Sequence, residues 1–557
     1  MVTSVELFIP LDEIDEVVPS ATRGKAISAA PDASADVADA PGAAEEDAPP
    51  VLENSRLLRE AEKTLGRASG SLGAVRVVRR SLDARKGRPI GYRLRCLVGA
   101  TEADVIAESP APADSPRWPS GRPAPRVVIV GSGPAGLWAA LRLSAAGVLP
   151  TILERGRAVQ PRRADLARLT RGTLDPDSNY CFGEGGAGTF SDGKLYTRSK
   201  DRAAVAGVLR DLARFGAPPD VEIDARPHVG SNRLPKVLTS LRHHLAAAGV
   251  AYRFESEATG LRLERGRVRA VLLRGGGEVE ADVVILAVGH SARSVYEWAH
   301  RAGVALERKA IAIGVRIEHP QPLIDEIQYG RAAGHPRLPP ALYELAATGA
   351  GRGVYSFCMC PGGWIVPAAT ELDGVVVNGM SLSKRDSRYA NAGLVAAIDT
   401  DDFGPAGAGP LAGVEFQRAI ERAAFVAGGG AFRAPGQRLA DFMADRASPT
   451  VADSSYRPGV TPARLSAVLP PPVAIALREG LAQIGARMSR FLHPDATLIG
   501  VETRTSAPVR VLRDPTTLMS PSCEGLYPAG EGAGYAGGIV SAAIDGARIA
   551  DQILARG

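Results

Sequence analysis

The sequence predicts an α/β protein, α+β overall. It has a parallel βαβ-based domain, an antiparallel β-rich domain inserted into it, and a small N-terminal β-α-β-β domain. Three observations carry this. Residues 126–156 read as strand, glycine turn, helix, strand and acidic cap. Residues 526–546 repeat strand, glycine loop and helix near the C-terminus. Between them, residues 310–494 alternate apolar and polar as antiparallel strands do, with helices near 413–426 and 472–491.

In chain order, residues 5–10 alternate like a strand, and 29–50 are rich in Ala, Asp, Pro and Glu, which predicts a disordered insert over about 20–52. Asn54 is placed to cap a helix running to about Gly66, with Leu57, Leu58 and Ala61 on one face. Strands at 74–81 and 90–98 are joined by the turn-like, basic run 83–89. Residues 1–109 thus form the small domain, and the Pro/Ser-rich residues 110–125 a linker.

Val127 to Val130 are all apolar, as in a parallel strand buried on both faces. In the Rossmann-type unit this opens, Gly131 makes the tight turn and Gly133 lets the backbone approach a pyrophosphate. Pro134 and Ala135 begin the helix, and Gly136 lets it pack closely on the strand. The helix N-terminus offers N–H groups and positive dipole to phosphates. Glu154 ends the second strand about 20 residues on, where a carboxylate accepts from a ribose diol and repels a 2′-phosphate, which excludes NADP. With 62 glycines in 557 residues, a bare GxGxxG is expected about 0.8 times by chance. Windows at 183–188 and 532–537 also fit the pattern. Only the first follows a strand, opens a helix and has an acidic residue downstream.

The terminal segment decides which dinucleotide. An NAD enzyme has no use for a distant return strand, whereas FAD needs a second part of the chain to hold its ribityl and isoalloxazine groups. Gly530 and Glu531 would meet the ribityl-phosphate. A helix starting near Gly538, with Gly537 and Ile539 beside it, would aim its positive end at the flavin. FAD is the expected cofactor, held by residues 126–309 and 495–557, with 310–494 as the substrate or cap domain. Arg155, Ala258 and Gly289 complete the expected contacts, together with Gly186, Gly188, Thr189, Asp192 and Lys194 of a long glycine loop.

Both ends resemble glutathione-reductase-type flavoproteins. Together with Gly185-Gly-Ala-Gly-Thr-Phe-Ser-Asp-Gly-Lys-Leu, Gly289-His-Ser-Ala-Arg, Phe357-Cys-Met-Cys-Pro-Gly-Gly, Val377-Asn-Gly-Met and Glu502-Thr-Arg-Thr-Ser-Ala-Pro-Val-Arg, the chain resembles a bacterial family of uncharacterised FAD-dependent dehydrogenases, over about residues 74–557. The resemblance implies a FAD fold and an oxidoreductase role, with no general substrate.

Four residues are the catalytic candidates. Lys194 would tune the flavin, and His290 follows a glycine at a strand end, where α/β sites lie. Arg504 and Arg510, at even spacing in an extended run, would clamp an anionic small-molecule substrate. Cys358 and Cys360 lie in an apolar run and read as buried packing residues; no metal-ligand spacing appears, and no metal is expected. NAD(P)H or another electron donor would have no Rossmann domain of its own. A net charge of +5 without a long basic run argues against nucleic acid. An RNA-modifying flavoprotein using Arg79, Arg80, Arg85, Lys86 and Arg88, or a scaffold with structural FAD, are the alternatives. Five cysteines, no signal-peptide pattern and no apolar run of about 18 residues predict a cytoplasmic protein without a membrane span.

Overall fold

The computed structural model describes residues 2–16, 55–107 and 117–556. The expected insert at 20–52, the Asn54 cap and residues 110–116 of the expected linker lie outside them. The chain divides into two compact units, Met1–Pro112 with Pro218–Pro227, and Ala113–Ala217 with His228–Gly557.

In the first unit, Gly91–Gly99 is the central strand of a three-stranded antiparallel sheet between Thr3–Pro10 and Ala74–Asp83. Helix Ser55–Leu65 lays Leu57 and Ala61 into a core with Val5, Leu7, Leu94 and Val98. The basic turn is internally neutralised in part. Arg80 pairs with Asp224 at 2.7 Å and Asp220 at 2.9 Å, and Arg85 with Asp83 at 2.6 Å.

The second unit holds a five-stranded parallel sheet in the order Leu526–Pro528, Val283–Leu286, Val127–Val130, Thr151–Leu153, Ala251–Arg253. Val127–Val130 is central and wholly buried, which is why it carries no polar residue. Helix Ile539–Leu554 packs on helix Pro134–Ala145 so closely that a Cβ on Gly546 would lie 1.9 Å from the Ala135 carbonyl oxygen. The return strand therefore reaches the sheet through a glycine-made helix contact.

A seven-stranded sheet runs Ala346–Gly349, Arg352–Cys360, Tyr389–Ile398, Ile311–Pro320, Thr497–Glu502, Ala434–Arg438, Val460–Pro462, antiparallel except for its last pair. The boundary expected at 494/495 is corrected here. Thr497–Glu502, all six residues buried, pairs on both sides within this sheet, so the antiparallel region extends past 494. Helices Ala412–Gly428 and Pro471–Arg487 cover it with apolar faces. Among the described residues no helix is long and apolar enough to cross a membrane.

Candidate active site

The carboxyl ends of Val127–Val130, Thr151–Leu153 and Val283–Leu286 open onto one cleft of about 260 Å³. Gly131, Gly133, Pro134 and Ala135 line it at the glycine turn, beside Glu154 and Arg155. Gly186, Gly188, Asp192 and Lys194 come from the glycine loop, and Ala258, Gly289 and His290 from the neighbouring strand ends. Glu531, Gly538 and Ile539 arrive from the return segment, and Arg504 from the antiparallel side. Five expected residues stand outside this lining. A Cβ on Gly136 would lie 2.1 Å from the Gly131 carbonyl oxygen, so that glycine serves helix packing. Thr189 is buried and donates to the Glu184 carbonyl at 2.6 Å. Gly530 lets the return turn approach Ala135 and donates its N–H to Asp545 at 2.7 Å. Gly537 is exposed and donates to Ser541. Arg510 pairs with Glu307 at 2.7 Å.

The glycine end suits a dinucleotide. Gly133 caps helix Pro134–Ala145 without a side-chain bond, and Gly538 does the same for Ile539–Leu554, which leaves first-turn N–H groups facing the cleft. A Cβ on Gly133, Gly289 or Gly538 would meet nothing within 4 Å, so each bare glycine leaves open space where a ligand backbone can approach. Glu154 differs from expectation. Its carboxylate accepts from Ser132 N–H at 3.0 Å, Ser132 Oγ at 2.8 Å, Gly156 N–H at 2.9 Å and Gly183 N–H at 3.0 Å. A carboxylate has about four acceptor positions, so Glu154 ties the turn to the glycine loop and a ribose hydroxyl would compete with Ser132.

The loop is set by a residue the sequence did not mark. Arg162, fully buried on helix Val159–Leu169, donates to the carbonyls of Asn179, Tyr180, Glu184 and Gly186 at 2.8–3.2 Å. Burial lowers its guanidinium pKa to about 10, still far above neutrality.

The expected arginine clamp is corrected by the structure. Arg504 is buried and gives Nε and one terminal nitrogen to Glu421, at 3.1 and 2.8 Å, and the other to Thr370 Oγ1 at 2.7 Å. Arg293 shares Glu421 at 2.7 Å and reaches Glu371 at 2.7 Å. Burial opposes the Glu421 charge, yet Arg504 and Arg293 hold its pKa at about 2. Glu421 lies 83 residues before Arg504, while the neighbouring Glu502 is taken by Arg316. Arg510 points to Glu307, so the two arginines do not face one cavity.

His290 Nδ1 is 2.8 Å from Ser291 Oγ, which in turn donates to Cys181 Sγ at 3.4 Å. Burial, with Arg504 and Arg293 nearby, pushes His290 down to about 4, so its imidazole is neutral at pH 7. Burial pushes Glu531 up to about 7 against the Gly538 N–H and Lys309. Lys194 Nζ pairs with Asp192 at 3.0 Å, and Asp192 with Arg385 at 2.7 Å. Burial disfavours both charges, but Cys358, Cys360 and Asp192 hold Lys194 above its usual range, and Lys194 and Arg385 hold Asp192 below its own. Lys194 also lies 3.8 Å from Cys358 Sγ and 3.6 Å from Cys360 Sγ. Cys360 is buried, whereas Cys358 is only half-buried and lines the cleft with Phe357 and Asn378. Packing alone therefore does not describe Cys358; the C-x-C spacing was its only mark in the sequence.

A glycine-turn βαβ unit and a returning strand and helix, converging on one cleft under an antiparallel sheet, define a flavoprotein of the FAD-binding class. Residues 125–173 match an FAD binding domain, and residues 310–505 match the FAD-dependent protein, C-terminal domain-like family. The chain is 40% identical over 507 residues to an uncharacterized protein of Clostridium beijerinckii, across 88% of this chain and 94% of that one. It belongs to the same family, a family of FAD-dependent proteins, and FAD is its cofactor. Among solved structures it is similar to a triple mutant of the flavin-dependent brominase Bmp2 (14% identity, TM-score 0.36, 78% of this chain and 80% of that one). It is also similar to glycine oxidase from Geobacillus kaustophilus (14% identity, TM-score 0.33, 77% and 94%).

Proposed function

We propose that the protein is an FAD-dependent oxidoreductase that moves a hydride between a small-molecule substrate and flavin N5. FAD supplies the two-electron chemistry; the chain supplies placement and electrostatics. The observation that carries this reading is the cleft itself. It joins the bare glycine turn and two uncapped helix ends to a wall of titratable side chains: Lys194, His290, Cys358 and Glu531.

Each of these has a task that follows from its surroundings. The first turns of Pro134–Ala145 and Ile539–Leu554 would offer N–H groups to the phosphates and the flavin of bound FAD. Lys194 keeps a fixed positive charge at the antiparallel wall. Neutral His290, with Ser291 on Nδ1, can accept a hydrogen bond at Nε2 from a substrate donor. Arg504 is paired with Glu421 and Lys194 with Asp192, so neither cation reaches the cleft without a carboxylate partner. A nicotinamide donor, if used, would enter this same cleft.

Purified protein is expected to be yellow and to release FAD, not FMN, on acid treatment. Anaerobic mixing with NADH, NADPH and a panel of metabolites should bleach the flavin with at least one of them. A flavin that no two-electron donor reduces would remove the oxidoreductase reading and leave a structural cofactor.

A further inference from the structure

Strand Arg352–Cys360 carries one extra residue against Tyr389–Ile398, because its register shifts between Phe357 and Cys360. Cys358 sits in this bulge at φ +44°, a left-handed conformation that is strained for a non-glycine residue. Something must hold it there. Fully buried Arg316 donates to the Cys358 carbonyl at 2.6 Å and is itself fixed by Glu502 at 2.9 Å and Asn378 at 3.0 Å.

The bulge turns both thiols toward one cation, Lys194. The Cys360 thiol, then Lys194 and Arg316, pull the Cys358 thiol well below its usual range against burial, and the same coupling raises Cys360. Cys358 lines the cleft and Cys360 lies buried behind it, both sulfurs within 4 Å of the one ammonium. Packing cysteines require neither a strained backbone, nor a shared ammonium, nor an open face. The glycine turn would take the pyrophosphate of the cofactor, and its ring system would extend along the remaining wall, which Cys358 helps to form.

We propose that Cys358 and Cys360 are a redox-active dithiol that exchanges two electrons with the isoalloxazine of the bound FAD. The step rests on the flavin reading above. On oxidation, the Cys358 thiolate and Cys360 thiol form one S–S bond and lose two electrons and one proton; the oxidised isoalloxazine takes up those two electrons and the proton to become the reduced anion. The reverse step returns the thiolate and the thiol. Lys194 stays protonated throughout and stabilises the thiolate, which makes it a positioning residue for the sulfur.

The test is an anaerobic dithionite titration of air-oxidised holoprotein, with thiol alkylation and mass spectrometry on the apoprotein in parallel. Wild type is expected to take up four electrons per flavin, with long-wavelength thiolate–flavin absorbance at the two-electron stage. Cys358→Ser is expected to take up two and to lack that absorbance. In air-oxidised apoprotein the peptide carrying both cysteines should resist alkylation until a reductant is added. Uptake of two electrons by wild type, with both cysteines alkylated without reductant, would overturn the proposal and leave the flavin reading intact. Failure to bind FAD at all would overturn the flavin reading, while the alkylation result would still report on the dithiol. If Cys358→Ser does not fold, the wild-type electron count and Cys360→Ser decide the matter.

Discussion

The two ends of the cleft are built by different means. At the glycine end, backbone does the work. Gly131, Gly133 and Gly136 lie within six residues, and the groups offered to the cofactor are N–H donors at helix starts. At the antiparallel end, side chains do it, and their partners are far apart in sequence. Lys194 meets Cys360 across 166 residues, Asp192 meets Arg385 across 193, and Arg504 meets Glu421 across 83. The glycine end is thus fixed by local geometry. The other end depends on the register of the seven-stranded sheet, where a slip of one residue would turn each side chain to the opposite face.

The largest effects should separate shape from binding at the glycine end. Gly136→Val would drive a side chain into the Gly131 carbonyl, where even a Cβ would sit at 2.1 Å. It should cost about 4–5 kcal/mol or more in chemical denaturation of the apoprotein. Gly133→Val places its side chain in open space, so apoprotein stability should stay within about 1 kcal/mol while FAD retention is lost. Equal destabilisation by the two variants would break the claim that these glycines have different tasks.

At the other end, Arg504→Met removes a buried partner from Glu421 and should destabilise by about 3–5 kcal/mol, read as a lowered denaturant midpoint. If stability holds and only an anionic substrate weakens, the arginine faces ligand after all. A smaller effect is a change in the pH dependence of the apoprotein. His290 takes up its proton near pH 6.5 when unfolded but near 4 when folded, so stability is lost as pH falls through that window. Glu531 goes the other way: 4.5 unfolded, about 7 folded, so stability is lost as pH rises through that window. The two slopes oppose each other in wild type. His290→Gln should therefore steepen the loss with rising pH, and Glu531→Gln should expose the loss on acidification, in thermal melts between pH 4.5 and 7. The smallest effect is expected for Arg510→Met, whose half-exposed pair with Glu307 should cost at most about 1 kcal/mol and leave FAD content unchanged.

Particular residues show how far the sequence could be read. The apolar strand Val127–Val130, the turn after it and the return strand ending before Gly530 were legible because they are short patterns with one physical meaning each. The glycine loop was legible as a site but not in detail. Thr189 turns inward, and Arg162, which sets the loop, sits on an ordinary-looking helix. Thr497–Glu502 falls within the 495–557 stretch that the sequence places with the nucleotide-binding region. Its pairing with Ile311–Pro320 and Ala434–Arg438 places it elsewhere.

By itself the sequence determined the nucleotide end, because glycine conformational freedom, strand periodicity and helix starts act over a few residues. Only the tertiary structure decided the charges. Whether Arg504 awaits a ligand or already holds Glu421, and whether Cys358 packs or faces a cleft beside Lys194, depends on which distant strands are neighbours. Coulomb and hydrogen-bond terms fall off over a few ångströms of space, and no spacing along the chain reports that distance.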